Sequence, residues 1–261
     1  SDLLAHFQSL AEDMRWISPH APHTLRLEIE TTTEPTVEQL ADWEKRGQSD
    51  PIAMSRTAGH FNKRKNFAAA ARCYERSYQL SPAWTTAIGL ATAYRALDQE
   101  ENWLPALEAY LEEDDYSLGH ASIHQHIAKD YMAKDKWVEA EPHALAAAET
   151  WSAWGLLLAA QVYEGLGDWK ESEKWYRETS NSYTTSSGHQ WYLWCRRTGR
   201  GDAESARKLF DRFLRVDWVQ RAQGGENYPL VDDMLEGRYQ QALDRLRLWS
   251  ESSNDVYWQM H

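Results

Sequence analysis

Histidine is the side chain through which this sequence could most readily do chemistry. His120 and His124 stand four residues apart, one helical turn, with His126 close by. Two imidazoles at that spacing lie on one helix face and could grip a transition metal. A third and fourth ligand are missing: no cysteine or paired carboxylate accompanies them, and His124 falls where its helix needs a packing residue. No metal site and no cofactor is expected. His20 and His23, on either side of Pro22, are read in the same way. Gly199-Arg200-Gly201-Asp202 spells an adhesion-like tetrapeptide, but its glycines also suit a tight turn between helices, which is the simpler reading. The acidic run Glu112 to Asp115 reads as a solvated helix end. The sequence has no Gly-rich phosphate loop, no Gly-x-Ser-x-Gly elbow and no His-Glu-x-x-His motif. The chain is therefore not expected to be an enzyme.

Such residues act only where a scaffold holds them, and composition says what the scaffold must bury. The 261 residues include 14 Trp and 13 Tyr but only 13 Gly and 8 Pro. So many large rings need repeated sockets, and so few breakers leave little room for disorder. A net charge of −12 argues against nucleic acid as the principal partner. Cys73 and Cys195 are too few for a disulfide framework. The longest apolar run, Leu156 to Ala160, is far too short to span a bilayer, and a cytoplasmic location is expected.

One ladder organises the chain. Phe67, Trp103, Trp137, Trp169, Ala203 and Tyr239 are spaced by 36, 34, 32, 34 and 36 residues. Three residues after each comes Ala70, Ala106, Ala140, Ser172, Ala206 or Ala242, and four further on Tyr74, Tyr110, Ala144, Tyr176, Phe210 or Leu246. A polar turn precedes each rung, Lys65-Asn66 and Gly167-Asp168 among them, and upstream lies a segment with helical apolar spacing. Each unit therefore reads as helix, turn, helix. The small side chain lets two helices approach, and the rings fill the gaps between neighbouring pairs. The turn Asp98 to Asn102 is read as three residues longer than the others.

The spacing resembles the tetratricopeptide repeat (TPR) family. Ala87, Leu90, Ala91 and Tyr94, and again His124, Ile127, Ala128 and Tyr131, match its first helix, while Ala70, Tyr74 and Pro82 match its second. The resemblance covers about residues 51–249 and departs at Arg197 and Asp233, where Tyr would stand. It implies an all-α right-handed superhelical solenoid of about six stacked antiparallel helix pairs. Residues 50–249 would form the repeats, 1–49 an N-terminal helical cap with a connecting segment, and 250–261 a C-terminal cap around Val256, Tyr257 and Trp258. Within 1–49, residues 3–16 and 36–46 read as helices, the latter with Val37, Leu40 and Trp43 on one face; 17–35 reads as an ordered connection or a short extended segment, and 223–227 as a loop.

Relatives in that family bind peptides or partner helices on the inner surface formed by first helices. Spacing assigns Ser55, Arg56, Asn62 and Lys63 to that surface, then Thr85, Ile88 and Arg95, then Gln125, His126 and Lys129, then Trp154, Leu157 and Gln161, and finally Trp191 and Tyr192. This predicts a groove basic at its N-terminal end and aromatic at its C-terminal end, suited to an acidic protein or peptide with hydrophobic anchors. Gly59 and Ser55 fill the places where some relatives clamp a terminal carboxylate, so that clamp is not expected. The leading function is a protein-interaction scaffold or adaptor. Alternatives are a recognition arm of a larger enzyme, or a ligand-sensing regulator with a pocket near Trp154 and Trp191. Self-association through an exposed aromatic end is a further expectation.

Overall fold

Why the chain folds into hairpins is visible at its turns. Lys65, Asp98, Asp135, Gly167, Gly201 and Gly237 all take left-handed backbone, with φ of 59°, 57°, 56°, 75°, 75° and 71°. Two residues after each, a new helix begins. At five of the six, the amide after the left-handed residue donates back five positions, as Asn66 does to the Phe61 carbonyl and Lys136 to that of Tyr131. This is the helix-closing bond pattern that a left-handed residue permits. An Asn or Asp side chain then caps the next helix at Asn66, Asp168 and Asp202.

The computed structural model describes residues 2–18, 21–112, 117–221 and 227–253. All secondary structure among them is helical. Two units make up the chain, Ser1–Thr150 and Trp151–His261. The first holds α1 (Asp2–Ile17), α2 (Pro22–Thr31), α3 (Val37–Arg46), α4 (Pro51–Lys63), α5 (Phe67–Leu80), α6 (Trp84–Ala96), α7 (Glu100–Leu111), α8 (Leu118–Ala133) and α9 (Trp137–Ala148). The second holds α10 (Ala153–Gly165), α11 (Trp169–Ser182), α12 (Thr184–Ser187), α13 (Gln190–Thr198), α14 (Ala203–Phe213), α15 (Asp217–Arg221), α16 (Tyr228–Leu235) and α17 (Tyr239–Ser253). Among the described residues, six pairs pack as antiparallel hairpins: α4/α5, α6/α7 and α8/α9, then α10/α11, α13/α14 and α16/α17.

Counted from the start of each second helix, the fourth residue is buried in all six: Ala70, Trp103, Ala140, Ser172, Ala206 and Ala242. Four places on, Tyr74, Leu107, Ala144, Tyr176 and Phe210 are buried too, while Leu246 remains 36% exposed. The register of α7 thus differs from the spacing ladder. Trp103 takes the place of Ala70, not of Phe67, because the left-handed residue is Asp98 and the helix opens at Glu100. The α6/α7 turn is no longer than its neighbours, and the extra residues follow the helix. Pro105 and Pro142, each the sixth residue of its helix, confirm this alignment. Ala106 is half-buried.

Close packing sets limits on the first helices as well. A Cβ placed on Gly89 of α6 would lie 2.5 Å from Cζ of Tyr74, whose ring rests on that backbone. Tyr74 is buried and its hydroxyl meets Asn62, so the ring has little room to retreat. Gly89→Val is expected to cost about 2 kcal/mol through overpacking, read as a lower urea midpoint at unchanged slope.

The N-terminal segment corrects one expectation. Residues 22–31 form α2, not an extended connection. Pro22 is the first helical residue, where a missing N–H does no harm, and Leu25 and Ile29 lie one turn apart on the buried face. His23 accordingly sits on a helix, exposed. Thr36 and Gln39 close a reciprocal capping box on α3, which buries Leu40 and Trp43 but leaves Val37 68% exposed. Helices α2 and α3 pack on α4, with Leu25, Ile29, Leu40 and Trp43 in the same core as Ala53, Met54 and Tyr74. The cations of α4 and α5 meet acids from this segment, in the pairs Arg56–Glu30 and Arg72–Glu44. Arg26 holds Asp50, the α4 cap: burial works against the Asp50 charge, but the guanidinium and the amides of Ala53 and Ile52 outweigh it and keep the carboxyl below its ordinary value. Pro19, His20, Glu113, Asp114 and Asp115, residues 223–226, and Val256, Tyr257 and Trp258 lie outside the described residues.

Candidate interaction face

In the first unit, α4, α6 and α8 are successive first helices, α6 touching both α4 and α8. Arg95 near the end of α6 is built in firmly. Its guanidinium stacks on the Trp103 ring, 4.1 Å from the centroid, and pairs with Asp130 at 2.7 Å and Glu100 at 3.1 Å. Lys134 closes the square, 2.8 Å from Glu100 and 2.9 Å from Asp130. Hydrogen bonds from Lys134 and Arg95 hold the Glu100 carboxyl below its usual range. Lys129, next to Asp130, and His126, one turn before it, are exposed. His126 is harder to protonate than a free imidazole, first through partial burial and then through the positive charges of Lys129 and Arg95. Ile88 is half-buried against the core around Ala87, Trp103 and Ile123, and Gln125 is half-buried beside His126.

At α4, Arg56, Gly59, His60 and Lys63 face Ile29, Glu30, Thr32 and Thr33 across a cavity of about 380 Å³. Burial, with Lys63 and Arg64 adding to it, lowers the His60 pKa. Two of the residues that spacing placed on this face are otherwise engaged. Arg56 pairs with Glu30 of α2. Asn62 turns inward to the Tyr74 hydroxyl, 3.4 Å away. Lys63 is exposed.

In the second unit, Trp154 and Leu157 are half-buried and Gln161 is exposed on α10. Trp191 and Tyr192 are not on an open face: each is 3% exposed, inside the core of that unit. Helix α13 is packed by α11 on one side and α14 on the other, so spacing that assumes one free face fails there. The Trp191 indole donates to Glu173, and Tyr192 stacks on Phe210 at 4.8 Å and donates to Glu236. An open aromatic pocket at Trp191 is therefore ruled out.

The other chemical candidates are absorbed by structure. His124 and His143 face each other from α8 and α9 with their Nδ1 atoms 2.9 Å apart, and no set of three metal-capable side chains occurs among the described residues. Burial first, then the imidazoles of His143 and His120, push His124 down to about 4. Arg200 stacks on Trp169, 4.3 Å from the ring centroid, and Asp202 caps α14, so both arms of the adhesion-like tetrapeptide are occupied. Cys73 and Cys195 are buried, unbridged, and pushed up to about 12 by burial. Sequence reasoning missed a buried ionic network. Asp233, in a place where the repeat would carry Tyr, receives Arg238 at 2.8 Å and Arg245 at 2.6 Å, and neighbouring Asp232 receives Arg207 and Arg238. Arg197, at the other such departure, pairs with Glu164, which also accepts from Tyr176.

No described helix is long and apolar enough to cross a membrane. No family model matches the sequence, and no curated protein does. Among solved structures, the chain is similar to one from the crystal structure of the APC/C hetero-tetramer Cut9-Hcn1, at 11% identity and a TM-score of 0.45. The match covers 82% of this chain and 42% of that one, so this chain spans less than half its length. The fold assignment rests on the hairpins themselves: six antiparallel pairs, each turning on a left-handed residue and burying the fourth position of its second helix, make this a TPR-like helical-repeat protein.

Proposed function

We propose that the chain is a non-catalytic, cytoplasmic interaction scaffold that binds an acidic peptide or protein segment on the first-helix face of its N-terminal unit. The supporting observation is the exposed Lys129 of α8 beside His126, next to Arg95 of α6, whose charge is shared with Glu100 and Asp130, in a chain whose net charge is −12. Lys63 extends the positive charge along α4, and Ile88 offers an apolar contact. Arg95 arrives pre-positioned on Trp103, so little side-chain entropy is lost when it binds. Trp154, Leu157 and Gln161 are a separate, more apolar contact surface in the second unit. As the recognition arm of a larger enzyme, the chain would use the same face.

The test keeps the structural cations intact. Lys63→Glu with Lys129→Glu changes only exposed side chains, so stability is expected to hold within about 0.5 kcal/mol. Binding to an array of acidic peptides carrying Leu or aromatic residues is expected to weaken about tenfold, with a smaller salt dependence. Equal binding by the wild-type and double-variant chains, or no preference for acidic over basic peptides, would sink the reading.

A further inference from the structure

Second helices in this chain carry a face that the following first helix covers. In α11 its members are Glu173, Tyr176 and Ser180, the fifth, eighth and twelfth residues, and α13 meets all three. The Trp191 indole donates to Glu173 at 3.2 Å, the Trp194 ring stacks on Tyr176 at 5.7 Å, and Ser180 accepts from the Trp191 amide at 3.0 Å. In α7, Leu104 and Leu107 hold the fifth and eighth places and share a core with Ile123 and Ile127 of α8. The same two places in α17 are again leucines, Leu243 and Leu246. Here they stay open, at 48% and 36% exposure against 1% for Leu107, and Tyr239, one turn earlier, is 66% exposed. Helix α17 meets α16 through a different face, where Ala242 is buried and Arg245 donates to Asp233 at 2.6 Å. The face built to be covered is therefore the leucine face.

We propose that this face is a docking surface for residues 256–260 of the same chain, which run back along α17 as a strap over Leu243 and Leu246. Val256, Trp258 and Met260 alternate with Tyr257, Gln259 and His261. Alternation by two sets the three apolar side chains on one side of an extended segment. At about 3.3 Å per residue they span about 13 Å. The helical stretch from Leu243 to Ser250 spans about 10.5 Å, so the two rows match in length. Run antiparallel to α17, Trp258 falls beside Leu246, and Met260 lies toward Leu243 and Tyr239. The reversal needs a turn straight after α17, which ends at Ser253. Asn254 and Asp255 stand there, and their side chains favour turns by bonding to their own backbone. Because the strap is tethered to the helix it covers, its effective concentration is about millimolar. It thereby outcompetes a second copy of the chain at micromolar concentration and closes this end of the repeats.

Cysteine pairing in the full chain tests this. Under mild oxidant, Leu243→Cys with Met260→Cys is expected to close a disulfide within one chain about tenfold faster than Gln241→Cys with Met260→Cys. Gln241 is exposed on the opposite side of α17, and the tether is the same length in both. Adding Trp258→Ser is expected to erase the difference, because the central anchor is gone. The unsubstituted chain gives an independent reading: nuclear Overhauser contacts are expected between the Leu246 methyls and the Trp258 indole. Equal rates for the two pairs overturn the proposal, as does an advantage that survives Trp258→Ser. So does the absence of Leu246–Trp258 contacts in the unsubstituted chain. A disulfide formed chiefly between two chains would give the face to a second copy and overturn it as well.

Discussion

Trp43→Ala is expected to remove about 4 kcal/mol of unfolding free energy from the N-terminal unit. The indole is fully buried, among the largest side chains to be so. Truncation forfeits its apolar transfer and leaves a cavity that the surrounding helices fill only in part; for a buried aromatic this amounts to about 3–5 kcal/mol. A second cost is polar. Nε1 of Trp43 donates to Glu28 at 2.8 Å, and Glu28 is 6% exposed, with Arg46 and Arg15 supplying its other contacts. Removing the indole deprives a buried carboxylate of a neutral donor. The His60 ring, edge-on at 5.5 Å, loses its neighbour too. Trp43→Phe keeps most of the volume and loses mainly the hydrogen bond, so about 2 kcal/mol is expected. Urea unfolding of the three chains is the measurement. A loss below about 1 kcal/mol for Trp43→Ala would mean that α3 is not part of the core of the first unit.

That α3 belongs to this core was legible in Val37, Leu40 and Trp43, although Val37 faces water. What the sequence showed well was the hairpin repeat, because a small residue at a helix crossing and a polar turn before it are both local demands. Two of its errors share a cause: a local residue type outweighed a backbone requirement. Trp103 looked like a rung of the ladder, yet Asp98, a non-glycine in the left-handed region, sets where α7 begins. The 37-residue interval between Pro105 and Pro142 carried that information and matches the interval between Asp98 and Asp135. The prolines of residues 17–35 looked like breakers, whereas Pro22 starts a helix. For the proposed face, spacing alone assigned Lys63, Arg95, His126 and Lys129, and all four are exposed. Arg56 and Asn62 were assigned without knowing that α2 would supply Glu30, or that Asn62 would turn to Tyr74. Trp191 and Tyr192 failed because a helix packed on two sides has no free face to read. The Arg and Asp network of α14, α16 and α17 depends on contacts across three helices, and no local spacing announces it.

Mild acid is expected to destabilise both units before any carboxylate is lost, through histidines buried in the neutral form. In the second unit, burial pushes His189 from 6.5 down to about 4. It is 7% exposed, ring to ring with Tyr228 at 4.3 Å and Phe213 at 4.9 Å, and its Nε2 lies 3.2 Å from the Tyr228 hydroxyl. In the first unit, His124 is likewise pushed to about 4 and burial lowers His143, its 2.9 Å partner. One imidazole can donate to the other while the pair holds at most one extra proton; two extra protons leave no acceptor between them. For each, the folded value lies below the unfolded one, so between the two the unfolded chain binds more protons. The contribution is complete above about pH 6.5, falls as the pH drops toward 4, and is constant beyond. At 1.36 kcal/mol per pK unit, His189 accounts for about 3 kcal/mol of that loss. Asp50, Glu164 and Asp233 have folded values below the ordinary 3.8 or 4.5, so their own losses come at lower pH. The interval from 6.5 to 5 therefore belongs to the imidazoles. His189→Phe alters packing and a hydrogen bond equally at both ends of the interval, so the difference between pH 7 and pH 5 isolates the proton. Urea unfolding of the wild-type chain should lose about 2 kcal/mol across that range in the second unit, and the His189→Phe chain almost none of it. Parallel pH dependence in the two chains would place the titrating group elsewhere.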